Sequence, residues 1–174
     1  MLTSAPAIEP LLEALVASVR ARLAEHNIVA PRLVGIHSGG VWLAQHLSQS
    51  LGLAEPIGEL DISFYRDDFT RVGMHPTVRP SRIPWDVEGK HLLLVDDVLY
   101  TGRTIRAALN EIFDYGRPAS VTLAVLVSRN GRELPIEAGA FGARLTLPPN
   151  QQLKLRGPAP LHLELVERAS RGAG

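Results

Sequence analysis

The sequence predicts an α/β fold, in which a central, mostly parallel sheet is flanked by helices. Amphipathic helical stretches alternate along the chain with short apolar runs of strand type. Residues 120–127 are almost continuously apolar, as in a strand that is covered on both faces. The alternation implies parallel βαβ units with right-handed crossovers. A length of 174 residues suits one domain, so we expect residues 1–174 to form a single unit.

The first elements follow from hydrophobic spacing. Residues 9–26 place apolar side chains at helical intervals and predict a helix. A short apolar strand over 33–36 ends in a polar turn with two glycines, 37–40, and a second helix follows over 41–51. Residues 60–65 alternate apolar and polar side chains, which predicts a half-buried or edge strand.

Residues 66–86 show no hydrophobic period and contain four arginines and three prolines. Structureless connections of this length are uncommon in compact domains and often serve as lids or binding loops. We therefore predict that this segment is a flexible lid.

The second half of the chain contains further strands and one more helix. Residues 92–95 predict a buried strand, and a periodic apolar run from Ile105 predicts a helix. The apolar strand at 120–127 precedes residues 128–160, which contain five prolines and are expected to be irregular. Alternation over 161–165 predicts a last strand, and residues 168–174 are predicted to be a disordered tail.

Composition limits the function classes. No apolar run approaches the ~20 residues of a membrane span, and the early acidic residues Glu9 and Glu13 do not suit a signal peptide. The absence of cysteine excludes disulfides, thiolate metal sites and a cysteine nucleophile. Basic and acidic residues number 18 each, which disfavours a general nucleic-acid coat. We expect a cytoplasmic protein with no membrane partner.

The most informative segment is residues 92–104, LLLVDDVLYTGRT. An apolar strand leads into Asp96 and Asp97, and a turn rich in hydroxyl and backbone donors then leads into a helix. Carboxylates can accept hydrogen bonds from ribose hydroxyls or orient a metal, and N–H groups at a helix N-terminus can bind phosphate. The order predicts a sugar-phosphate site. Because ligands of such sheets bind at the carboxyl ends of the strands, the turn at 37–40 is expected to share the crevice.

Other chemistries have less support in the sequence. A P-loop ATPase would need the pattern G-x-x-x-x-G-K-[ST], which the chain lacks. The neighbouring His37 and Ser38 suggest a hydrolase, but no G-x-S-x-G elbow is present. The histidines show no zinc-site spacing such as H-E-x-x-H.

Three motifs carry a resemblance to a known family. The segment VDDVLYTGRT resembles the signature loop of the type I phosphoribosyltransferases, which bind 5-phosphoribosyl 1-pyrophosphate. Two further motifs, YGRP at 115–118 and RELPI at 132–136, are most similar to the branch of uracil phosphoribosyltransferases that also regulate pyrimidine operons. The resemblance extends from about residue 11 to residue 166. It implies the type I phosphoribosyltransferase fold, with the lid and a small hood over about 128–166.

The resemblance also implies the reaction and its ligands. Uracil and phosphoribosyl pyrophosphate would give UMP and pyrophosphate, with Mg²⁺ and arginines stabilising the charge of the leaving group. No covalent nucleophile is required. The expected assembly is a homodimer or a tetramer.

Roles of individual residues are carried over from the family motifs. Asp96, Asp97 and Arg82 are assigned to catalysis, with Asp97 also acting indirectly on the metal. Arg129 is placed on the base side. The pyrophosphate-binding set is Ser38, Gly39, Gly40 and Arg82. The phosphoribosyl-binding set is Asp96, Asp97, Val98, Leu99, Tyr100, Thr101, Gly102, Arg103 and Thr104.

Two alternatives remain open at this point. One is a UMP-sensing regulator that binds pyrimidine-leader RNA and has little or no enzyme activity. RNA-binding relatives have arginines at positions 132 and 137, whereas this chain has Arg132 and Glu137, so we expect weak RNA binding. The other is a phosphoribosyltransferase for a different base, because the sequence at 38–40 is similar to the glycine pair of the purine enzymes.

Overall fold

A five-stranded parallel sheet organises the protein, in the order β2-β1-β3-β4-β5. The computed structural model describes residues 2–62 and 80–167. Residues 63–79, which hold the end of the predicted 60–65 strand and most of the predicted lid, lie outside the described residues, as does the predicted tail. The strands of the sheet are β1 (Arg32–Ile36), β2 (Gly58–Leu60), β3 (His91–Leu99), β4 (Ser120–Arg129) and β5 (Ala140–Leu145). The helices are α1 (Ile8–Glu25), α2 (Gly39–Leu51) and α3 (Arg103–Tyr115).

A separate antiparallel hairpin, formed by β6 (Gln151–Arg156) and β7 (His162–Glu167), completes the fold. Its inward side chains Leu153 and Leu155 join the same hydrophobic cluster as α1 and α2. The hairpin is therefore attached to the domain through the core.

Helices cover both faces of the sheet. Along β3, Leu93 and Val95 pack with α1 and α2, whereas the intervening Leu92 and Leu94 pack with α3. Successive side chains of a strand point to opposite faces, so a strand that is covered on both sides needs a continuous apolar run. The predicted α/β class and parallel sheet are confirmed.

The structure corrects three boundaries. The strand predicted at 60–65 is found at Gly58–Leu60, and Asp61 and Ile62 already lie outside it. Strand β3 continues to Leu99, so the acidic pair lies inside the strand instead of following it. The region 128–160, expected to be irregular, contains β5 and β6.

Glycine explains why the sequence did not indicate β5. A Cβ built on Gly142 would lie 2.6 Å from the carbonyl oxygen of Leu11 and 2.7 Å from that of Leu126. The backbone of α1 passes too close at this point for a side chain. The position therefore lacks the apolar residue that would have marked the strand.

The described end of the predicted lid is anchored. Arg82 and Glu59 exchange two backbone hydrogen bonds of 2.7 and 2.8 Å, extending the sheet edge. The indole N–H of Trp85 donates to the carbonyl of Pro56 at 2.8 Å. Arg82 and Trp85 are therefore in contact with the domain, and the lid over residues 66–86 stays a prediction. No helix among the described residues is long and apolar enough to cross a membrane.

Candidate active site

A cleft of about 390 Å³ lies at the carboxyl ends of the parallel strands, with β6 as its outer wall. Both turns predicted from the sequence reach it. The predicted residues that line it are Ser38, Gly39, Asp96, Asp97, Val98, Leu99, Tyr100, Thr101, Gly102, Thr104 and Arg129. Gly40, Arg103 and Arg82 do not line it.

The two carboxylates lie on the floor of the cleft and are held by neighbouring backbone groups. Asp96 is buried, and its Oδ1 accepts the N–H of Asp97 at 3.0 Å. Asp97 is partly exposed, and its Oδ1 accepts the N–H of Val98 at 2.8 Å. An ionised carboxylate only accepts hydrogen bonds, so Asp97 suits a ligand that presents hydroxyl groups or a cation.

The phosphate turn, which we define as residues 100–104, connects β3 to α3. Gly102 adopts a φ of +93° immediately before the helix, a conformation that glycine adopts without a steric penalty. The N–H of Arg103 donates to Thr101 Oγ1 at 3.2 Å. The first N–H groups of a helix lack carbonyl partners within it and carry positive partial charge, which suits a bound phosphate.

A second loop supports this turn from behind. The carbonyl of Thr101 accepts the N–H groups of Glu133 and Leu134 at 3.0 and 3.1 Å. Arg103, which does not line the cleft, pairs through Nε with Glu133 Oε2 at 2.6 Å. We call residues 130–137 the buttress loop. It contains the RELPI motif, which therefore packs against the phosphate turn.

The other turn places its glycines against β3. A Cβ on Gly40 would lie 2.2 Å from the carbonyl oxygen of Val95, which explains why Gly40 packs under the cleft and does not line it. Just before the turn, His37 Nε2 lies 2.7 Å from Glu59 Oε2, and the His37 N–H donates to the carbonyl of Leu60. These contacts fix the end of β1 next to the edge strand.

The two predicted arginines are placed differently. Arg82 is exposed and held by its backbone at the sheet edge, so its assignment to catalysis and pyrophosphate binding stays a prediction. Arg129 lines the cleft but is buried, and its Nη1 donates to the carbonyl of Gln151 at 2.7 Å. Its guanidinium carbon lies 4.0 Å from the centre of the Tyr100 ring.

The sequence did not indicate the outer wall. Residues 152–156 of β6 line the cleft together with Trp42 of α2. Trp42 packs beside the end of β6, since a Cβ on Gly157 would lie 2.9 Å from its ring. Alternation of polar and apolar residues over 151–156, repeated after a proline-containing connection, is the pattern that could have predicted this hairpin.

Comparison with known proteins agrees with this geometry. The family model for the phosphoribosyl transferase domain matches residues 1–147. The hypoxanthine-guanine phosphoribosyltransferase of Bacillus anthracis has the same fold, with a TM-score of 0.66 over 88% of this chain and 87% of that chain, at 15% identity.

Curated relatives refine the assignment. The Bifunctional protein PyrR of Pseudomonas paraeruginosa is 58% identical over 161 residues, covering 92% of this chain and 95% of the relative. The protein of that name from Pseudomonas putida is 55% identical over 170 residues, covering 98% and 99%. The chain therefore belongs to the phosphoribosyltransferase family, in the branch of the PyrR proteins.

Proposed function

We propose that the protein transfers the 5-phosphoribosyl group of phosphoribosyl pyrophosphate to uracil, giving UMP and pyrophosphate, and that it participates in the regulation of pyrimidine nucleotide synthesis. The observation that carries the proposal is the meeting of an acidic pair and a helix N-terminus in one cleft, in a chain of the PyrR branch. Uracil is the acceptor that the sequence motifs imply.

Each part of the donor has a matching part of the cleft. The 5′-phosphate would bind the phosphate turn, where backbone N–H groups and the hydroxyls of Thr101 and Thr104 are grouped. The ribose hydroxyls would donate to Asp96 and Asp97. The pyrophosphate would lie against the backbone of Ser38 and Gly39, on the opposite side of Asp97.

The reaction exchanges one bond for another at ribose C1′. The bond from C1′ to the pyrophosphate oxygen breaks, the bond from C1′ to a uracil nitrogen forms, and the proton of that nitrogen passes to the solvent. Charge develops on the leaving pyrophosphate and on the ribose ring, so fixed dipoles and carboxylates can stabilise the transition state. Binding the donor and the base in one cleft also supplies orientation.

Mg²⁺ suits this site as an ion shared with the donor. Across residues 2–62 and 80–167, no three acidic, histidine or cysteine side chains are grouped to enclose a metal. Mg²⁺ is commonly held by one or two carboxylates together with substrate phosphates. Asp97 would provide the protein carboxylate, directly or through water. Bound there, the ion would neutralise part of the pyrophosphate charge.

Regulation by RNA is expected to be weak. Glu137 is exposed, and its Oε1 lies 3.4 Å from Nε of Arg132. The side chain of Arg132 is only 17% exposed. A carboxylate on the surface opposes a phosphate backbone. We therefore propose that nucleotide sensing, in a homodimer or tetramer, contributes more than RNA affinity.

The base can be identified by a comparison of acceptors. Purified protein is assayed with phosphoribosyl pyrophosphate and Mg²⁺ against uracil, hypoxanthine and guanine, and calorimetry measures the binding of UMP and GMP. Turnover with uracil and tighter binding of UMP are expected. Turnover with a purine base but not with uracil would show that the purine is the substrate. UMP binding without any turnover would favour a pure sensor.

A further inference from the structure

Arg132 points into the protein, although its motif suggested a surface role. Its Nη1 donates to the backbone carbonyl of Tyr100, and its Nη2 donates to Ser128 Oγ at 3.2 Å. Its Nε lies 3.4 Å from Glu137 Oε1. All three nitrogens therefore face acceptors of the same chain. A guanidinium whose nitrogens are already paired within the chain presents few donors to an external phosphate.

The carbonyl that Arg132 holds belongs to the first residue of the phosphate turn. The next carbonyl, that of Thr101, is held by N–H groups of Glu133 and Leu134. Two successive carbonyls are thus fixed by three successive residues of the buttress loop. The orientation of these peptide groups determines where the following N–H groups point. The buttress loop therefore controls the direction of the N–H groups that are proposed to bind the phosphate.

The Tyr100 ring lies between the buttress loop and Arg129, which contacts the start of β6. A Cβ on Gly131 would lie 2.4 Å from the Tyr100 ring, which shows how closely the buttress loop packs against it. The guanidinium of Arg129 lies 4.0 Å from the centre of the same ring. Arg129 in turn donates to the carbonyl of Gln151, the first residue of β6, and to that of Leu147.

We propose that Arg132 is a positioning residue for binding of the phosphoribosyl donor. It acts through the Tyr100 carbonyl and sets both the direction of the phosphate turn and its distance from β6. This inference rests on the proposed transferase function. It assigns Arg132 to the support of the phosphate turn from behind the cleft, instead of to an RNA-contacting surface.

The fork geometry allows a sharp test, because lysine keeps the charge but has no planar fork. The wild type, Arg132→Ala, Arg132→Lys and Arg132→Gln are compared, with Arg106→Ala as the control because Arg106 is exposed on α3. KM for the donor, KM for uracil, kcat, UMP affinity and the free energy of unfolding are measured for each.

For Arg132→Ala we expect KM for the donor to rise about tenfold. This is the size of effect expected when a hydrogen bond made by a charged group, here Arg132 to the Tyr100 carbonyl, is lost. A smaller change in kcat is expected, because contacts to the 5′-phosphate persist from substrate to transition state. Arg132→Lys should recover little of the loss, and Arg106→Ala should match the wild type. UMP affinity should fall in parallel with donor affinity.

Tyr100 provides the second half of the test. Tyr100→Leu keeps the backbone carbonyl but removes the ring between Gly131 and Arg129, and it is measured alone and together with Arg132→Ala. The loss in the double variant with Arg132→Ala should be smaller than the sum of the single losses.

Three results would overturn the inference while leaving the transferase function intact: unchanged donor KM in Arg132→Ala, full rescue by lysine, or additive losses in the double variant. Wild-type protein without turnover or UMP binding would instead contradict the proposed function itself. If the alanine variant does not fold, the Arg132→Lys and Arg132→Gln variants decide by the same KM criterion.

Discussion

The backbone of Gly39 lies against the carboxylate of Asp97, so that a Cβ built on Gly39 would stand 2.8 Å from Asp97 Oδ2. The two residues come from different strand ends and lie 58 positions apart in the sequence. Their proximity joins the turn at residues 37–40 and the acidic pair into one site. It also means that one methyl group added to Gly39 can displace the Asp97 carboxylate without removing it.

Gly39→Ala should therefore reduce activity with a small effect on folding. The new methyl group would displace the Asp97 side chain, and displacements of this size can reduce rates by about 10- to 100-fold. Turnover and thermal unfolding are measured together. Gly58→Ala is the control, since its Cβ would meet no atom nearer than 3.4 Å. Normal turnover in Gly39→Ala would show that Asp97 tolerates the shift.

Gly40→Ala should mainly reduce stability. Its Cβ would lie 2.2 Å from the carbonyl oxygen of Val95, which is a backbone atom in the middle of the sheet and cannot rotate away. Overpacking of this kind costs about 1–3 kcal/mol. Chemical denaturation should show the loss. A variant as stable as Gly39→Ala would contradict the distinction between the two glycines.

Asp97→Asn should remove most of the transferase activity and keep the fold. The amide is nearly isosteric, and its oxygen can still accept the Val98 N–H, but the charge proposed to order ribose and Mg²⁺ is lost. The expected loss is about 10²–10³ in rate. Asp114→Asn, at an exposed acid of α3, is the control. Near-normal turnover at saturating Mg²⁺ would remove Asp97 from the catalytic set.

Tryptophan fluorescence should report ligand binding from one side chain. The chain has two tryptophans, and Trp42 lines the cleft whereas Trp85 packs at the sheet edge near Pro56. UMP or pyrophosphate should change the emission of Trp85→Phe, in which Trp42 remains. Trp42→Phe should give little response. The reverse pattern would place the ligand away from the described cleft.

Glu137→Arg should increase affinity for a pyrimidine-leader hairpin at low salt. The substitution replaces a repulsive carboxylate by a phosphate contact, which steepens the slope of log affinity against log salt by about 0.7–0.9. Asp114→Arg makes the same charge change on exposed α3 and serves as the control. Tight, salt-sensitive binding by the wild type, unaffected at position 137, would restore RNA binding as a main activity.

The sheet and its helices could be predicted from the sequence because their burial is periodic. Leu15 and Val19 of α1 recur at helical spacing, and both are fully buried. The run over 92–95 is apolar at every position because both faces of β3 are covered. The spacing of apolar residues along the chain is therefore enough to identify these elements and the edge of the sheet at which ligands of such folds bind.

The direction of the arginines could not be predicted in the same way. Arg129 and Arg132 belong to a charged segment that is typical of an exposed loop, yet both turn inward to carbonyls from distant parts of the chain. Those acceptors, in Gln151 and Tyr100, are 22 and 32 positions away. Only the folded arrangement brings them together, and the sequence offers no period that marks it.

The position of the hairpin late in the sequence affects when the cleft is completed during synthesis. Chains are synthesised from the amino end and begin to fold in that direction, so the sheet strands and both turns that line the cleft emerge before β6 and β7. The side-chain amide of Gln151 donates to the carbonyl of Leu2 at 3.1 Å, so this contact cannot form until residue 151 has been synthesised. The cleft therefore lacks its β6 wall until the chain has been synthesised beyond residue 156.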